Sequence, residues 1–256
     1  MDSALRHQQI VALVRERGLI EVQWLAEHFG VTPQTIRRDV EELSQRSLVR
    51  RFRGGIAAPS SVENLAYATR KLMMAEEKRR IAELAAVHVP DEASLFVNIG
   101  TTTEAVARAL TRHSGLRVIT NNLNVANILH TSTRFALTVA GGQVREHDGG
   151  IVGPATIDFI RQFKVDIGII GISGIDAEGD LLDYDYQEVR VARTIIENSR
   201  RVFLVTDHTK FGRSAMIRLG HVGDVHDLFT DREPPPALAE VIAATGCRVH
   251  VAPPES

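Results

Sequence analysis

One cysteine, Cys247, among 256 residues rules out an intrachain disulfide, so packing and hydrogen bonds alone must hold the fold. A single thiol suits a reducing compartment. Aromatic residues are scarce at 5%, and the hydrophobic fraction of 44% is an ordinary globular value. No apolar run approaches the ~20 residues that span a bilayer. The start, Met1 to Gln9, is polar, with no apolar stretch of leader length behind it. The expectation is a cytoplasmic protein with no membrane partner. Charge of one sign is lacking as well: 30 Lys and Arg against 32 Asp and Glu leave a net of −2. That excludes a chain coated in positive charge, but a small basic surface is enough to hold nucleic acid.

The texture of the chain changes near its first quarter. Residues 1–57 read as a small separate domain of short helices and charged turns. Residues 58–74 read as a linker and connecting segment, opened by the Pro and Ser of Ala58-Pro59-Ser60-Ser61. Residues 75–252 alternate strand and helix, the rhythm of a mostly parallel sheet with helices on both faces. Residues 253–256 read as a loose tail.

Within the first domain, Ile10, Leu13 and Val14 share one helical face. Gly18 stops that helix, and a second runs over 22–29, burying Val22, Leu25, Ala26 and Phe29. Gly30-Val31 makes a turn. Thr32 then fits an N-cap and Pro33 the first helical position. Ile36, Val40 and Leu43 point a third helix inward, which leaves Gln34, Thr35, Arg37 and Arg38 outward near its start. Residues 48–56 read as a two-stranded hairpin rich in arginine: Arg50, Arg51 and Arg53. A helix start carrying Thr32, Gln34, Thr35, Arg37 and Arg38 has the donors and acceptors that read base edges in a major groove. The arginines supply phosphate contacts.

In the second domain, Val97-Asn98-Ile99-Gly100-Thr101-Thr102-Thr103 is a strand, a glycine turn and a helix start. Gly100 lets the backbone approach a ligand, the three threonines add hydroxyls, and the helix start favours an anion. No Gly-Lys-Ser/Thr follows and the glycines are not spaced for a dinucleotide, so neither nucleotide fingerprint applies. In open α/β sheets ligands gather at the carboxyl ends of the strands. Asn121, Asn122, Gly141, Gly142, Asp207 and Lys210 all fall there. Lys210 either neutralises a phosphate or is a solvated loop lysine, and Asp207 either holds Lys210 or binds a hydroxyl. Asp148, Asp183, Asp185 and Glu188 are loop acids or hydroxyl ligands, with no carboxylate evidently aligned as a base. The histidines are scattered singly and define no metal site. No cofactor and no catalytic residue is expected.

The run Thr32-Pro33-Gln34-Thr35-Ile36-Arg37-Arg38-Asp39, then Leu43, then Arg51 to Gly54-Gly55 closely resembles the signature of DeoR-type bacterial repressors. The resemblance covers essentially the whole chain, with residues 121–127 and 169–176 carrying the closer match. It implies a winged helix-turn-helix whose Arg37 and Arg38 contact operator DNA, with Asp39 orienting them or pairing locally. It also implies an α/β domain similar to sugar-phosphate isomerases that senses a phosphorylated polyol or sugar. Glycerol 3-phosphate is favoured over fructose 1-phosphate, and genes of glycerol metabolism are the implied targets. The family association is a dimer or tetramer. One departure is Asn98, where the family often carries Asp.

Overall fold

The computed structural model describes residues 3–17, 19–46, 48–52, 55–57, 67–132 and 134–254. Gly18, Arg53, Gly54, the linker stretch Ala58 to Asn64, and Glu255 and Ser256 lie outside the described residues. Contacts divide the chain into two units, Met1–Glu63 and Asn64–Ser256.

The first unit runs α1 (Ser3–Arg17), β1 (Leu19–Glu21), α2 (Val22–Phe29), α3 (Pro33–Gln45), β2 (Arg50–Phe52) and β3 (Gly55–Ala57). Ile10 and Val14, Leu25 and Ala26, and Ile36, Val40 and Leu43 meet in one buried core, with Leu13, Val22 and Phe29 partly buried around it. The helical spacing predicts this set. The wing differs from a two-stranded hairpin. It is a three-stranded antiparallel sheet in the order β1-β3-β2, because Ile20 pairs with Ile56 and both side chains are buried. Three residues are too few to show the alternation that marks a strand, so β1 leaves no sequence signal.

The second unit opens with α4 (Tyr67–Leu72), in chain expected to be connecting segment, and α5 (Ala75–Val87). The elements β4 (Ser94–Val97), α6 (Thr101–Leu110), β5 (Arg117–Thr120), α7 (Leu123–Leu129) and β6 (Ala136–Val139) follow. A hairpin, β7 (Gln143–Val144) and β8 (Ile151–Val152), leads to α8 (Pro154–Ile160) and β9 (Val165–Ile170). Then come β10 (Gly174–Ile175), β11 (Asp180–Asp183), α9 (Tyr186–Glu197), β12 (Ser199–Val205) and β13 (Ile217–His221). The chain closes with β14 (Asp227–Thr230), α10 (Pro236–Thr245) and β15 (Arg248–Val251).

Seven strands form one sheet in the order β15-β14-β12-β9-β4-β5-β6, and every pairing in it is parallel. Successive side chains on a strand face opposite ways. Leu95 and Val97 of β4 therefore pack with Ile81, Val106 and Val125 of α5, α6 and α7. Phe96 belongs to the core on the other face, which Ile157, Ile195 and Leu238 of α8, α9 and α10 share. β10, β11 and β13 make a separate small sheet, antiparallel throughout, which strand-helix alternation does not predict. Ala252, at the end of the expected domain, is buried, and Arg80 donates to the carbonyls of Ala252 and Pro253. Among the described residues no helix is long and apolar enough to cross a membrane.

The sheet reverses its winding between β4 and β9. From β4 the chain adds β5 and β6 on one side, and from β9 it adds β12, β14 and β15 on the other. Loops leaving β4 and β9 diverge at such a point and leave a crevice at the carboxyl ends of the strands.

Candidate nucleic-acid interface and ligand cavity

At the start of α3, Thr32 is the N-cap, and its Oγ1 accepts from the Thr35 N–H at 3.2 Å. Pro33 sits in the first turn. This cap fixes where the helix begins, and so which side chains its exposed end presents. Gln34, Arg37 and Arg38 are exposed there, and Thr35 is partly buried. Arg37 and Arg51 share one concave surface with Gln23 and Pro33. Arg38 lies 3.4 Å from Glu42, and Arg51 pairs with Glu41. These are exposed pairs, worth less than about 1 kcal/mol each, so both arginines can exchange a carboxylate for a phosphate at little cost. Arg50 is exposed on the same wing strand. Arg53 lies outside the described residues.

Asp39 does not orient Arg37 or Arg38. It is 3% exposed and accepts from Arg6 Nε at 2.5 Å and Nη2 at 2.9 Å. His7 Nε2 is 3.0 Å from Oδ1, the oxygen that Arg6 Nη2 also bonds. Burial works against the charge of this carboxyl, but the bonds from Arg6 and His7 outweigh it and hold its pKa below the ordinary value. The acid in the middle of the exposed helix end thus locks α3 onto α1.

The second site lies in the crevice between β4 and β9. A cavity is lined by Ile99, Gly100, Thr101 and Thr102 after β4, by Gly171, Ile172 and Ser173 after β9, and by Val205 at the end of β12. Arg70, Asp183, Glu188 and Lys210 complete it. Gly100 is the N-cap of α6 with φ of 148°, a conformation that a residue with a Cβ avoids. The first intrahelical bond runs from the Glu104 N–H to the Gly100 carbonyl. The amides of Thr101, Thr102 and Thr103 therefore have no intrahelical acceptor. With the helix dipole they make an anion cradle.

The cavity is lined by charged groups of both signs. Burial pulls the Lys210 ammonium down to about 8, opposed by Asp207. Asp207 is itself held below its usual range: burial raises it, but Lys210, Thr209 and Lys78 outweigh that. In the same cavity, burial and the neighbouring Asp183 push the Glu188 carboxyl up to about 8, against the pull of Arg145. Burial raises Asp183 as well. A lysine cation and a helix start thus share a small space with two carboxyls that resist ionisation.

Of the residues the sequence singles out, Gly100, Thr101, Thr102 and Lys210 come together in this cavity. The others take neighbouring places. The Thr103 hydroxyl donates to the carbonyls of Asn98 and Gly100, tying the turn closed. Asp207 caps the short turn that carries Lys210, through the Thr209 N–H. Asn121 donates to the Ile151 carbonyl at 3.0 Å. Asn122 bridges to Gly150 and caps α7 through the Asn124 N–H. Both asparagines brace the β7–β8 hairpin. Gly141 accepts from Thr156, and Gly142 takes φ of 154° hard against that threonine, which accounts for a glycine there without a ligand. Asn98 is 1% exposed, and its side-chain oxygen finds no hydrogen-bond partner among the described residues.

Arg70, Ser173, Asp183 and Glu188 also line the cavity; the sequence offers Asp183 and Glu188 only as loop acids or hydroxyl ligands, and does not single out Arg70 or Ser173. The Gly171-Ile172-Ser173-Gly174 run after a strand end carries a signal of the same kind as the Gly100 loop. Arg70 carries none, since it lies in chain that reads as a connector. Asp185 serves as the N-cap of α9. Arg145 joins the hairpin to this wall by bonding Asp148 and Glu188. Among the described residues no group of three or more His, Cys, Asp or Glu side chains is placed to hold a metal ion.

A capped reading helix with an arginine wing, followed by an α/β unit with an anion cradle, defines a DNA-binding regulator with a ligand-sensing domain. The chain matches the DeoR-like helix-turn-helix domain over residues 6–62 and the DeoR C terminal sensor domain over residues 73–232. It belongs to the DeoR family. It is 51% identical over 242 residues to the glycerol-3-phosphate regulon repressor of Escherichia coli (strain K12), covering 94% of this chain and 96% of that protein. It is 51% identical over 234 residues to the glycerol-3-phosphate regulon repressor of Haemophilus influenzae, with 91% of each covered. The HTH-type transcriptional repressor CsqR of Escherichia coli (strain K12) is 42% identical over 233 residues, 91% of this chain and 89% of that one. The solved ribose 5 phosphate isomerase A of Neisseria gonorrhoeae superposes on 54% of each chain at a TM-score of 0.40 and 13% identity, a distance at which it bears on neither ligand nor activity.

Proposed function

We propose that the protein represses genes of glycerol and glycerol 3-phosphate metabolism and leaves its operator when glycerol 3-phosphate occupies the cavity. The carrying observation is the mixed lining of the cavity: Gly100, Thr101, Thr102 and Lys210 together with Asp183 and Glu188. A short polyol phosphate presents an anion to the helix start and the lysine, and hydroxyls to the carboxyls. The two relatives that are 51% identical and named glycerol-3-phosphate regulon repressor support this effector over fructose 1-phosphate. Thr32, Gln34, Thr35, Arg37, Arg38, Arg50, Arg51 and Arg53 are the proposed operator contacts. Thr103, Asn121, Asn122, Gly141, Gly142 and Asp207 are proposed to act behind the effector, by holding the walls. Two half-sites need two reading heads, so the working form is a dimer or tetramer.

The test is a fluorescence-anisotropy titration on DNA from upstream of the neighbouring genes, with and without glycerol 3-phosphate. Specific binding that the metabolite weakens is the expected result. Binding weakened only by fructose 1-phosphate would replace the effector, and folded protein with no preference for any DNA would overturn the reading. Arg37→Ala is expected to cost about 1–3 kcal/mol of operator affinity. A loss equal on operator and random DNA would demote Arg37 to a phosphate contact.

Effector affinity is expected to fall between pH 7 and 9. Both Lys210 and Glu188 lose a proton near 8. Deprotonation removes the positive charge of Lys210 and adds a negative one on Glu188, and both changes disfavour an anion. Each linked proton contributes at most about tenfold per pH unit. Isothermal titration across that range checks it, and affinity that is flat or rising would contradict the assignment. A carboxyl near 8 also meets one requirement of an acid–base catalyst. The cavity is nevertheless proposed to sense rather than to turn over, and isomerisation of ribose 5-phosphate by purified protein would reverse that.

A further inference from the structure

The large sheet has two edges, and they differ. At one, β15 carries Arg248 and His250, whose side chains hold Asp227, and Arg80 donates to the carbonyls just past it. Charge on an edge strand discourages pairing with a further strand. The other edge, β6, has no such guard. From Phe135 to Val144 the chain has no charged residue and no proline. Among the described residues no strand pairs with the outer side of β6. Ala136, Thr138 and Val139 are exposed, although the strands of parallel sheets are ordinarily covered on both faces. Val139 is 39% exposed, and Leu123 at the start of α7 and Val144 of β7 are 41% and 48% exposed.

The hydrogen bonds of β6 fix which groups that edge offers. The Ala136 N–H donates to the Leu116 carbonyl, and the Ala140 N–H to the Thr120 carbonyl, both on the β5 side. The backbone groups of successive strand residues point to opposite edges. Those of Phe135, Leu137 and Val139 therefore point away from the sheet. The side chains of the same three residues share one face: Phe135 and Leu137 pack on the core beneath α5, α6 and α7, and Val139 follows in the alternation. The outward backbone positions thus coincide with an apolar row. Such a strand is complementary to itself run antiparallel. With a two-fold axis at Leu137, that residue meets its own copy, and Phe135 meets the partner's Val139. Each pair exchanges both backbone bonds and sets apolar side chains against each other. Arg134 falls opposite the partner's Ala140, so no like charges face one another. A contact of this symmetry closes on itself as a dimer.

We propose that β6 pairs antiparallel with β6 of a second copy of this chain, joining two sensor sheets edge to edge across a two-fold axis at Leu137. The inference rests on the dimer or tetramer proposed above and assigns the surface that forms it.

The experiment uses the full chain. Sedimentation velocity gives the mass of the wild type and of Val139→Pro, and circular dichroism confirms folding. The N–H lost in Val139→Pro points out of the sheet, so the ladder to β5 keeps its bonds. Val139→Pro is expected to halve the mass, from dimer to monomer or from tetramer to dimer. Leu137→Cys gives an independent readout. The Cα atoms of a hydrogen-bonded antiparallel pair lie about 5.5 Å apart, within the span of a disulfide, and the native Cys247 is buried. Mild oxidation is expected to join Leu137→Cys into a covalent dimer. Arg134→Cys, whose two copies stand roughly 20 Å apart at about 3.4 Å per residue, is expected to stay unlinked. A wild type that is monomeric at every concentration would overturn both the association and the edge. A wild-type oligomer whose mass Val139→Pro leaves unchanged, and which Leu137→Cys does not link, would overturn the edge and leave the association standing. Linkage through Arg134→Cys but not Leu137→Cys would overturn the axis at Leu137. Should Val139→Pro not fold, or the two readouts disagree, the cross-link decides.

Discussion

Asp39→Ala is expected to cost the N-terminal head about 3–5 kcal/mol, the usual loss when one partner of a buried ion pair is removed. The carboxylate is 3% exposed and Arg6 is 7% exposed, so the truncation takes away the buried anion that two nitrogens of the guanidinium bond. Trp24 is the one tryptophan of the chain. It stands in α2, stacked on His28 and beneath the Arg17 guanidinium, so its fluorescence reports unfolding of the head. Urea denaturation followed at that residue should show a lower midpoint, with operator binding lost in step. A midpoint equal to wild type would show that the α1–α3 lock contributes nothing. Replacing Arg6 and Asp39 together by apolar residues should recover much of the loss, because no buried charge is then stranded. The pH dependence has one sign. The folded carboxyl is held below its ordinary value. Its contribution is therefore complete above the unfolded value of about 3.9 and is lost as pH falls through the folded one.

Lys210→Ala is expected to weaken glycerol 3-phosphate by about 2–5 kcal/mol, the range for truncating one side of a desolvated charge contact. On the operator, this appears as repression that persists at effector concentrations that release the wild type. The substitution should leave the loop folded, since Asp207 keeps its bonds to Thr209 and still lies in the field of Lys78. Isothermal titration reads the affinity directly. An unchanged value would remove the cavity from consideration as the effector site, whatever the operator assay gave. Lys210→Arg separates charge from shape: a retained cation with a larger head should keep part of the affinity if the phosphate sits where the cradle places it.

The two sites differ in how far they could be read from residues. The DNA-reading face is almost wholly local. Thr32 caps, Pro33 starts the helix, and Ile36, Val40 and Leu43 turn one side inward, so Gln34, Arg37 and Arg38 must face out. The structure alters only what lies behind that face: β1 joins the wing, and Asp39 pairs with Arg6 rather than with its neighbours. The cavity was legible in part. Gly100-Thr101-Thr102 and Lys210 carry signals in their own surroundings, a glycine turn at a helix start and a lysine after a strand. Asp183 and Glu188 read from the sequence only as loop acids or hydroxyl ligands, and Arg70 carries no signal. Asn121 and Gly141 follow strands as a ligand loop would, yet Asn121 braces the hairpin and Gly141 bonds Thr156 of α8, because β5 and β6 lie on the far side of β4 from β9.

Helix faces, caps, turns and the alternation of strand with helix are set by residues within a few positions of one another, and the sequence by itself determined them, together with membership of the DeoR family. Strand order, the company of each loop and the protonation of buried groups depend on residues far apart in the chain. The tertiary structure alone decided that the winding reverses between β4 and β9 and that α4 brings Arg70 to the crevice there. It also decided that Glu188 and Lys210 sit far enough from water, and close enough to other charges, to titrate near 8.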